Sequence, residues 1–466
     1  MKKSEFGIIG MGVMGRSLAK NALNKGIAVF IYNRNSDDEA FVIPNFISET
    51  TSDNVQGFVS LEPFVSSLET PRKILLMIPS GTAVDSIIEQ LEPLLEPNDI
   101  LIDGGNSHYR DTQLRETRLH KKEIYYLGVG VSGGEEGALK GPSMMAGGNK
   151  DAYERVAHIF EAIAAKDLEK HPCVALLGPN GAGHAVKTLH NGIEYAEMQL
   201  IAEVFALLKP HYEQDEIATI LASWNNSELQ SFLLETTISI LQKKENSEYV
   251  LPNVLDVAKA KGTGTWSASI ALEHGIPASC IQAAVQARNI SSYKEQRSQL
   301  SQKLSIDSFE AVLPSDVLRT AYQMGRIINH YQGFQILNKL SQVENWELDI
   351  AEIVRVWSQG CILQSKLLQD LNPILQLNTN LFEVEGIIQF LKDSEKHLAE
   401  VLLFGQQQRT ALPCLSAAYQ YWIGISTQDS AANLIQAQRD AFGAHTYQRI
   451  DHPLGESFTT NWKSND

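Results

Sequence analysis

The segment Gly183–Val204 constrains this chain more than any other. Its residues repeat with helical period, and Lys187, His190, Asn191 and Glu194 fall at i, i+3, i+4 and i+7, one line on one face. Val186, Leu189, Ile193, Ala196, Leu200 and Val204 cover the opposite side, while Met198 and Ile201 continue the polar line one and two turns on. A solvated stripe would not run into Met and Ile, so the helix is expected to be buried on both sides and central to the fold. Buried lysine and glutamate are costly unless paired or used. Burial lowers the pKa of a lysine and raises that of a glutamate, which gives a base and an acid that both work near neutral pH. Lys187 and Glu194 stand roughly 10 Å apart along the axis at 1.5 Å per residue. They can lean over one small polar substrate from its two ends, with His190 and Asn191 between them as hydrogen-bonding groups.

At 466 residues the chain exceeds one typical domain, and two domains with an appendage are expected. A net charge of −16 argues against nucleic acid or an anionic membrane as partner. Any anionic ligand must then be held by locally placed cations. Cys173, Cys280, Cys361 and Cys414 are scattered without a C-x-x-C pair. They read as buried thiols of a reducing compartment, and the protein is expected to be cytoplasmic. Glu5 and the early glycines interrupt any signal-peptide core, and Thr410–Gln428, uncharged but rich in Pro, Gln, Ser and Gly, reads as a core helix and not a membrane span.

The first ~180 residues alternate short apolar runs with helical patterns, the signature of a parallel, doubly wound sheet. Gly10, Gly12 and Gly15 form G-x-G-x-x-G between the first strand and the first helix, a tight turn on which a pyrophosphate can sit at a helix N-terminus. This predicts an N-terminal Rossmann-like domain over 1–180, with Gly10, Met11, Gly12, Val13, Met14 and Gly15 against the dinucleotide. The second strand ends Asn33-Arg34-Asn35, where an Arg suits the 2′-phosphate of NADP. Asp37 and Asp38 are expected to cap the next helix. Two more turns, Asp103-Gly104-Gly105-Asn106-Ser107 and Ser132-Gly133-Gly134, follow strands and point into the same cleft.

After Pro179 helical patterns predominate, and an all-α domain is expected over 181–430. It contains a repeat: Ile217–Trp224 (I-A-T-I-L-A-S-W) recurs as Ile350–Trp357 (I-A-E-I-V-R-V-W), and Leu229–Leu234 (L-Q-S-F-L-L) as Leu363–Leu368 (L-Q-S-K-L-L). The tail, 431–466, is poor in periodic hydrophobics but carries Phe442, Tyr447, Phe458 and Trp462, aromatics that need a surface to bury against.

The motifs G-x-x-V-M-G, N-R, I-D-G-G-N-S, G-V-S-G-G-E-E-G-A, G-P-S-M-M-x-G-G-N, G-A-G-H-x-V-K-x-x-H-N-G-I-E-Y, K-G-T-G-x-W and A-N-L-I-Q-A-Q-R-D-x-F-G-A-H-T-Y occur in that order along the whole chain. In these the sequence resembles the decarboxylating 6-phosphogluconate dehydrogenases of the β-hydroxyacid dehydrogenase superfamily. The resemblance implies oxidative decarboxylation of 6-phosphogluconate with NADP, no metal, and a homodimer whose tails reach the partner's active site. It implies Lys187 as the base and then acid at C3, and Glu194 as the acid that protonates C1 of the enediol. Asn106, Ser132, Gly133, Gly134, His190 and Asn191 would hold the carboxylate and hydroxyls. Tyr195, Lys261 and Arg288 would bind the phosphate, with Arg439 and His445 from the neighbouring chain. The cofactor would also meet Asn33, Arg34, Asn35, Ile78, Pro79, Ser80 and Asn106.

The chain departs from the family pattern in places. Ile78-Pro79-Ser80-Gly81 stands where V-K-A-G is usual, removing a lysine and a backbone donor. Asn35 replaces a common Thr, Thr265 a frequent Lys, and Ala441 a Tyr, while W-R-G-G-C is here Trp357-Ser358-Gln359-Gly360-Cys361. None of these is Lys187 or Glu194, so the departures bear on cofactor affinity. The alternatives are another β-hydroxyacid dehydrogenase, whose chains are much shorter and lack the duplication and tail, and a degenerate relative that binds a metabolite without turnover.

Overall fold

The computed structural model describes residues 3–36, 38–50, 52–259, 262–304, 311–378 and 380–463. Eight strands form one sheet: β1 Ser4–Ile9, β2 Val29–Tyr32, β3 Val55–Phe58, β4 Leu68–Leu76, β5 Ile100–Asp103, β6 Tyr125–Ser132, β7 Ser143–Gly148 and β8 Val174–Gly178, in the order β3-β2-β1-β4-β5-β6-β7-β8. Helices cover both faces. Ile8, Leu75, Ile102 and Val129 build the core on one side, and Ile9, Ile74, Leu76 and Leu101 the core on the other. Such runs, apolar on both faces, are what a doubly wound sheet needs.

The expected parallel, doubly wound sheet is formed by β1 to β6, and the pairing changes beyond it. β7 runs antiparallel to β6, and β8 pairs parallel to β7. Only residues 133–142 link β6 to β7, too few for the crossover that a parallel neighbour requires, so the chain turns back. The apolar runs that mark β1, β2, β4, β5 and β6 are weak or missing in β3, β7 and β8. Ser143–Gly148 (S-M-M-A-G-G) holds no β-branched or aromatic residue, and its strand is imposed by pairing with β6. Asp38 does not cap the next helix, which begins at Val42 behind Phe41; Asp37 lies outside the described residues. A turn, Glu39 N–H to Ser36 carbonyl at 2.9 Å, intervenes.

Two long helices, Ala182–Leu208 and Ser315–Glu344, are packed together beyond the sheet. Arg326 Nε donates to Glu197 at 2.9 Å and Asn329 Nδ2 donates to the Ile193 carbonyl at 3.0 Å, all of them buried. Each long helix is followed by one copy of the repeat: Gln214–Asn225 with Phe232–Gln242, and Ile350–Trp357 with Lys366–Leu377. The copies meet. Ser231 and Ser365 form an antiparallel bridge, with Phe232 N–H on the Gln364 carbonyl at 3.0 Å and Lys366 N–H on the Gln230 carbonyl at 2.9 Å. Each serine then caps its own helix, accepting from Leu234 N–H and Leu368 N–H respectively. The repeated L-Q-S is thus a strand-like contact and a helix start in three residues. One short hairpin, Lys244–Glu245 with Glu248–Tyr249, interrupts the helical region.

Residues to Ala418 form one compact unit and Tyr419 onward a second. In the second, the helix Ala432–Gly443 is followed by a loop closed by a Tyr447–Phe458 bridge. Asp440 is its anchor, accepting from Thr446 N–H, Thr460 N–H and Trp462 Nε1. All four cysteines are free and buried, and among the described residues no helix is long and apolar enough to cross a membrane.

Ser231→Ala and Ser365→Ala should each lower stability by about 0.5–2 kcal/mol, since each strips a buried cap from its helix. Denaturation midpoints measure this, and unchanged midpoints would contradict the paired-cap reading.

Candidate active site

Alternation along β6 places Gly128 and Gly130 on one face and Leu127, Val129 and Val131 on the other. The two glycines face the helix Ala182–Leu208. A Cβ on Gly130 would lie 2.2 Å from Lys187 Cβ, and one on Gly183 would lie 2.4 Å from the Gly128 carbonyl oxygen. Backbone therefore meets backbone, and the first turns of the helix are sunk against the sheet. Every residue from Ala182 to Ile193 is buried.

Lys187 is 6% exposed. Burial pulls its ammonium pKa down, and the Glu194 charge opposes that only in part. Burial pushes the Glu194 carboxyl up, against the pull of Lys187 and Arg288. His190, fully buried, joins the two. Its Nδ1 lies 3.4 Å from Lys187 Nζ, 3.4 Å from Asn191 Oδ1 and 3.6 Å from a Glu194 oxygen. Its Nε2 faces Ser132 Oγ at 3.2 Å and Cys361 Sγ at 3.3 Å, and the ring stands edge-on to Trp357. Burial and the neighbouring lysine hold the imidazole neutral, well below its ordinary pKa. The Cys361 thiol, pushed up to about 12 by burial, donates to the Trp357 carbonyl. The second copy of the repeat thus supplies a wall of the site. Gly133 is left-handed (φ 114°), and a Cβ there would meet the Gly360 carbonyl oxygen at 2.5 Å.

One turn beyond Glu194 the expectation of burial fails. Met198 is 43% exposed, with Arg288 Nη2 at 3.3 Å from its sulfur. The Arg288 guanidinium carbon lies over the Tyr195 ring, 3.4 Å from its centroid, so a cation from the helix Ser279–Ser291 stands at the Glu194–Tyr195 end. Lys261 lies outside the described residues. Arg439 and His445 belong to the second unit, where both are exposed and Arg439 donates to Gln436.

Asn106 is exposed at the carboxyl end of β5, on a loop held by Asp103. That carboxylate accepts from Gly105 N–H at 3.0 Å, Ser107 Oγ at 2.6 Å and Tyr126 OH at 2.9 Å. Its backbone carbonyl is 3.1 Å from His184 Nε2, whose Nδ1 meets Thr112 Oγ1 at 2.6 Å. This network links the Asn106 loop to the helix Ala182–Leu208 one turn before Lys187. The sequence pattern offered no signal for it beyond the polar residues themselves.

At the same carboxyl edge of the sheet, where β1 ends across β4 from β5, the glycine loop fits a dinucleotide. Gly10 is left-handed (φ 95°), a Cβ on Gly15 would sit 2.0 Å from the Gly10 carbonyl oxygen, and a Cβ on Gly12 would meet nothing within 4 Å. That open position caps the helix Val13–Asn24, which has neither a side-chain cap nor an acid in its first turn. Met11 N–H donates to Asn33 Oδ1 at 3.0 Å, and Val13 is 59% exposed and Met14 partly buried beside the loop. Ile78, Pro79 and Ser80 follow β4 next to it, with Ile78 against Gly10. Arg34 and Asn35 leave the end of β2, and the Arg34 guanidinium is bidentate to Glu39.

The chain matches the family model of the NAD binding domain of 6-phosphogluconate dehydrogenase over residues 5–178, and that of the 6-phosphogluconate dehydrogenase C-terminal domain over 183–462. The chain belongs to the 6-phosphogluconate dehydrogenase family. The NADP(+)-dependent, decarboxylating 6-phosphogluconate dehydrogenase of Bacillus subtilis is 43% identical, over 99% of this chain and all of that one. The decarboxylating 6-phosphogluconate dehydrogenase of Shigella flexneri is 41% identical over 99% of this chain and all of its own. Among solved structures, Plasmodium falciparum 6-phosphogluconate dehydrogenase superposes with a TM-score of 0.92 at 35% identity, covering 98% of this chain and 100% of that one. It is described in apo form, with its cofactor NADP+ and with its substrate 6-phosphogluconate. Membership of the 6-phosphogluconate dehydrogenase family accounts for the long helical region with its duplication, since one model spans it whole.

The two glycine contacts separate in one experiment. Gly130→Ala should cost about 1–3 kcal/mol by overpacking against the Lys187 stem. Gly12→Ala should leave the melting temperature unchanged and weaken dinucleotide binding. Equal effects of the two on melting would refute this packing account.

Proposed function

We propose that the chain oxidises 6-phosphogluconate at C3 and decarboxylates it to ribulose 5-phosphate, with NADP as oxidant. The observation that carries the reading is the Lys187–His190–Glu194 line, sunk against β6 with a lowered lysine and a raised glutamate pKa. The bound cofactor supplies a hydride acceptor. Lys187, as a neutral amine, takes the 3-hydroxyl proton while the C3–H bond breaks. The resulting ammonium polarises the C3 carbonyl and returns its proton to that oxygen as the C1–C2 bond breaks and carbon dioxide leaves. The electron pair remains in an enediol. Glu194, its carboxyl pushed up by burial, delivers a proton to the carbon that becomes C1 of the product, and Lys187, neutral again after its transfer to the C3 oxygen, takes the adjacent hydroxyl proton as the ketone forms.

His190, Asn191, Ser132, Gly133, Gly134 and Asn106 are assigned to the carboxylate and hydroxyls of the substrate. Arg288, stacked on Tyr195, is assigned to its phosphate, together with Lys261. The glycine loop from Gly10 to Gly15, Asn33-Arg34-Asn35, the Ile78-Pro79-Ser80 turn and Asn106 take the cofactor. Four buried free thiols support a cytoplasmic setting.

The active form is assigned as a homodimer whose tails complete the partner's phosphate site with Arg439 and His445. Support comes from the second unit, which exposes Leu434, Ile435, Phe442, Ile450 and Leu454 to solvent, far more apolar surface than so small a unit keeps without a partner.

Lys187→Met should reduce NADPH formation, followed at 340 nm, by about 10²–10⁴-fold or more, and also block decarboxylation of the 3-keto acid. Glu194→Gln should slow steady-state turnover and, because each product still gains one solvent hydrogen at C1, scramble the deuterium that turnover in D2O places there between the two C1 positions. The signs of the shifts set the pH response: oxidation slows as pH falls and Lys187 protonates, and the final protonation slows as pH rises and Glu194 ionises. Near-normal turnover in either variant would refute its role.

Truncation before Gln438 should raise the KM for 6-phosphogluconate sharply and weaken the dimer. Mixing the tail-less chain with a Lys187→Met chain should restore part of the activity. A truncated dimer with unchanged KM would rule out the shared site.

A further inference from the structure

The cation expected to receive the 2′-phosphate already has a partner. Arg34 donates to Glu39 through Nε at 3.0 Å and Nη2 at 2.8 Å, the two-pronged geometry with which a guanidinium also grips phosphate. Glu39 takes a third bond, from Asn33 Nδ2 at 2.8 Å. Asn33 is 8% exposed and its Oδ1 accepts from Met11 N–H of the glycine loop. The carboxylate is therefore fastened to the end of β2 and, through one side chain, to the loop that holds the pyrophosphate.

Its partner is the looser member. The Arg34 side chain is 74% exposed and that of Glu39 32%. The turn that follows β2 aims Glu39 back at this corner: Glu39 N–H bonds the Ser36 carbonyl at 2.9 Å and Val42 N–H the Glu39 carbonyl at 3.0 Å. Hydrogen bonding from Arg34 keeps the carboxyl ionised, below its ordinary range. Asp38 adds a second negative charge felt by Arg34.

At this end of the second strand, a carboxylate receives the 2′-hydroxyl of a plain ribose and a guanidinium receives a 2′-phosphate. Here both groups are present and bound to each other. A 2′-phosphate must displace the carboxylate from the guanidinium and then sit beside it, charge against like charge. A 2′-hydroxyl finds its acceptor in place. From this we infer that Glu39 is a specificity-determining residue that occupies Arg34 and narrows the discrimination between NADP and NAD.

The inference rests on the dinucleotide reading of the site, and its test is chosen to be independent of turnover. Calorimetric titration of the full chain with 2′,5′-ADP and with ADP measures the two affinities without a nicotinamide. Glu39→Gln and Glu39→Ala should each tighten 2′,5′-ADP by about fivefold and leave ADP equal or weaker. Adding Arg34→Ala to either variant should abolish the gain. An unchanged ratio in both variants, an equal shift for both nucleotides, or no binding of either would overturn the inference. NADPH formation by the unaltered chain is scored separately. Its absence alongside the expected shift would sink the proposed activity and leave Glu39's role standing, and turnover with an unmoved ratio would do the reverse.

Discussion

The contact on which the site depends is close packing at glycine: Gly183 of the helix Ala182–Leu208 on the carbonyl of Gly128, and Gly130 under the stem of Lys187. With no side chains between them at these points, the helix and the sheet are in direct contact, and any Cβ there would clash. That closeness removes water from Lys187 and His190, and the loss of hydration moves their proton affinities. It also brings Ser132, at the end of the same strand, within reach of His190. The chemistry of the lysine is in this sense made by two residues that have no chemistry.

The electrostatics follow the same economy. The chain carries a net charge of −16, yet its ligands are anions. The cations proposed to meet them are few and each is seated differently: Lys187 desolvated in the core, Arg288 laid on an aromatic ring, Arg34 exposed and held by Glu39. Long-range steering contributes little under such a balance, and short-range geometry decides what binds.

Much of this was legible in the sequence. The polar line at Lys187, His190, Asn191 and Glu194 could be read because helical period is local, and the glycine loop because it lies between one strand and one helix. Other features depend on what meets across the fold. The reversal at β7 came from a link too short for a crossover, and its strand from a partner, with no help from S-M-M-A-G-G itself. Arg288 reads as an ordinary surface cation until the helix that bears it is laid over Tyr195. The hold of His184 and Asp103 on the Asn106 loop joins residues 81 positions apart. Met198 continues a buried line in the helical wheel and is exposed nonetheless, because the neighbouring helices no longer enclose it there. Glu39 escaped notice for the opposite reason: a charged residue on a polar turn carries no pattern.

The bridge between Ser231 and Ser365 pairs equivalent residues of the two repeat copies head to tail, the relation that two separate molecules would have across a two-fold axis. Joined in one chain, the copies meet by an intramolecular contact that does not depend on how much protein is present. The association cannot be diluted away, and the two copies are free to diverge. Only the second donates Trp357 and Cys361 to His190, so the internal symmetry is kept as scaffold and broken around that buried histidine.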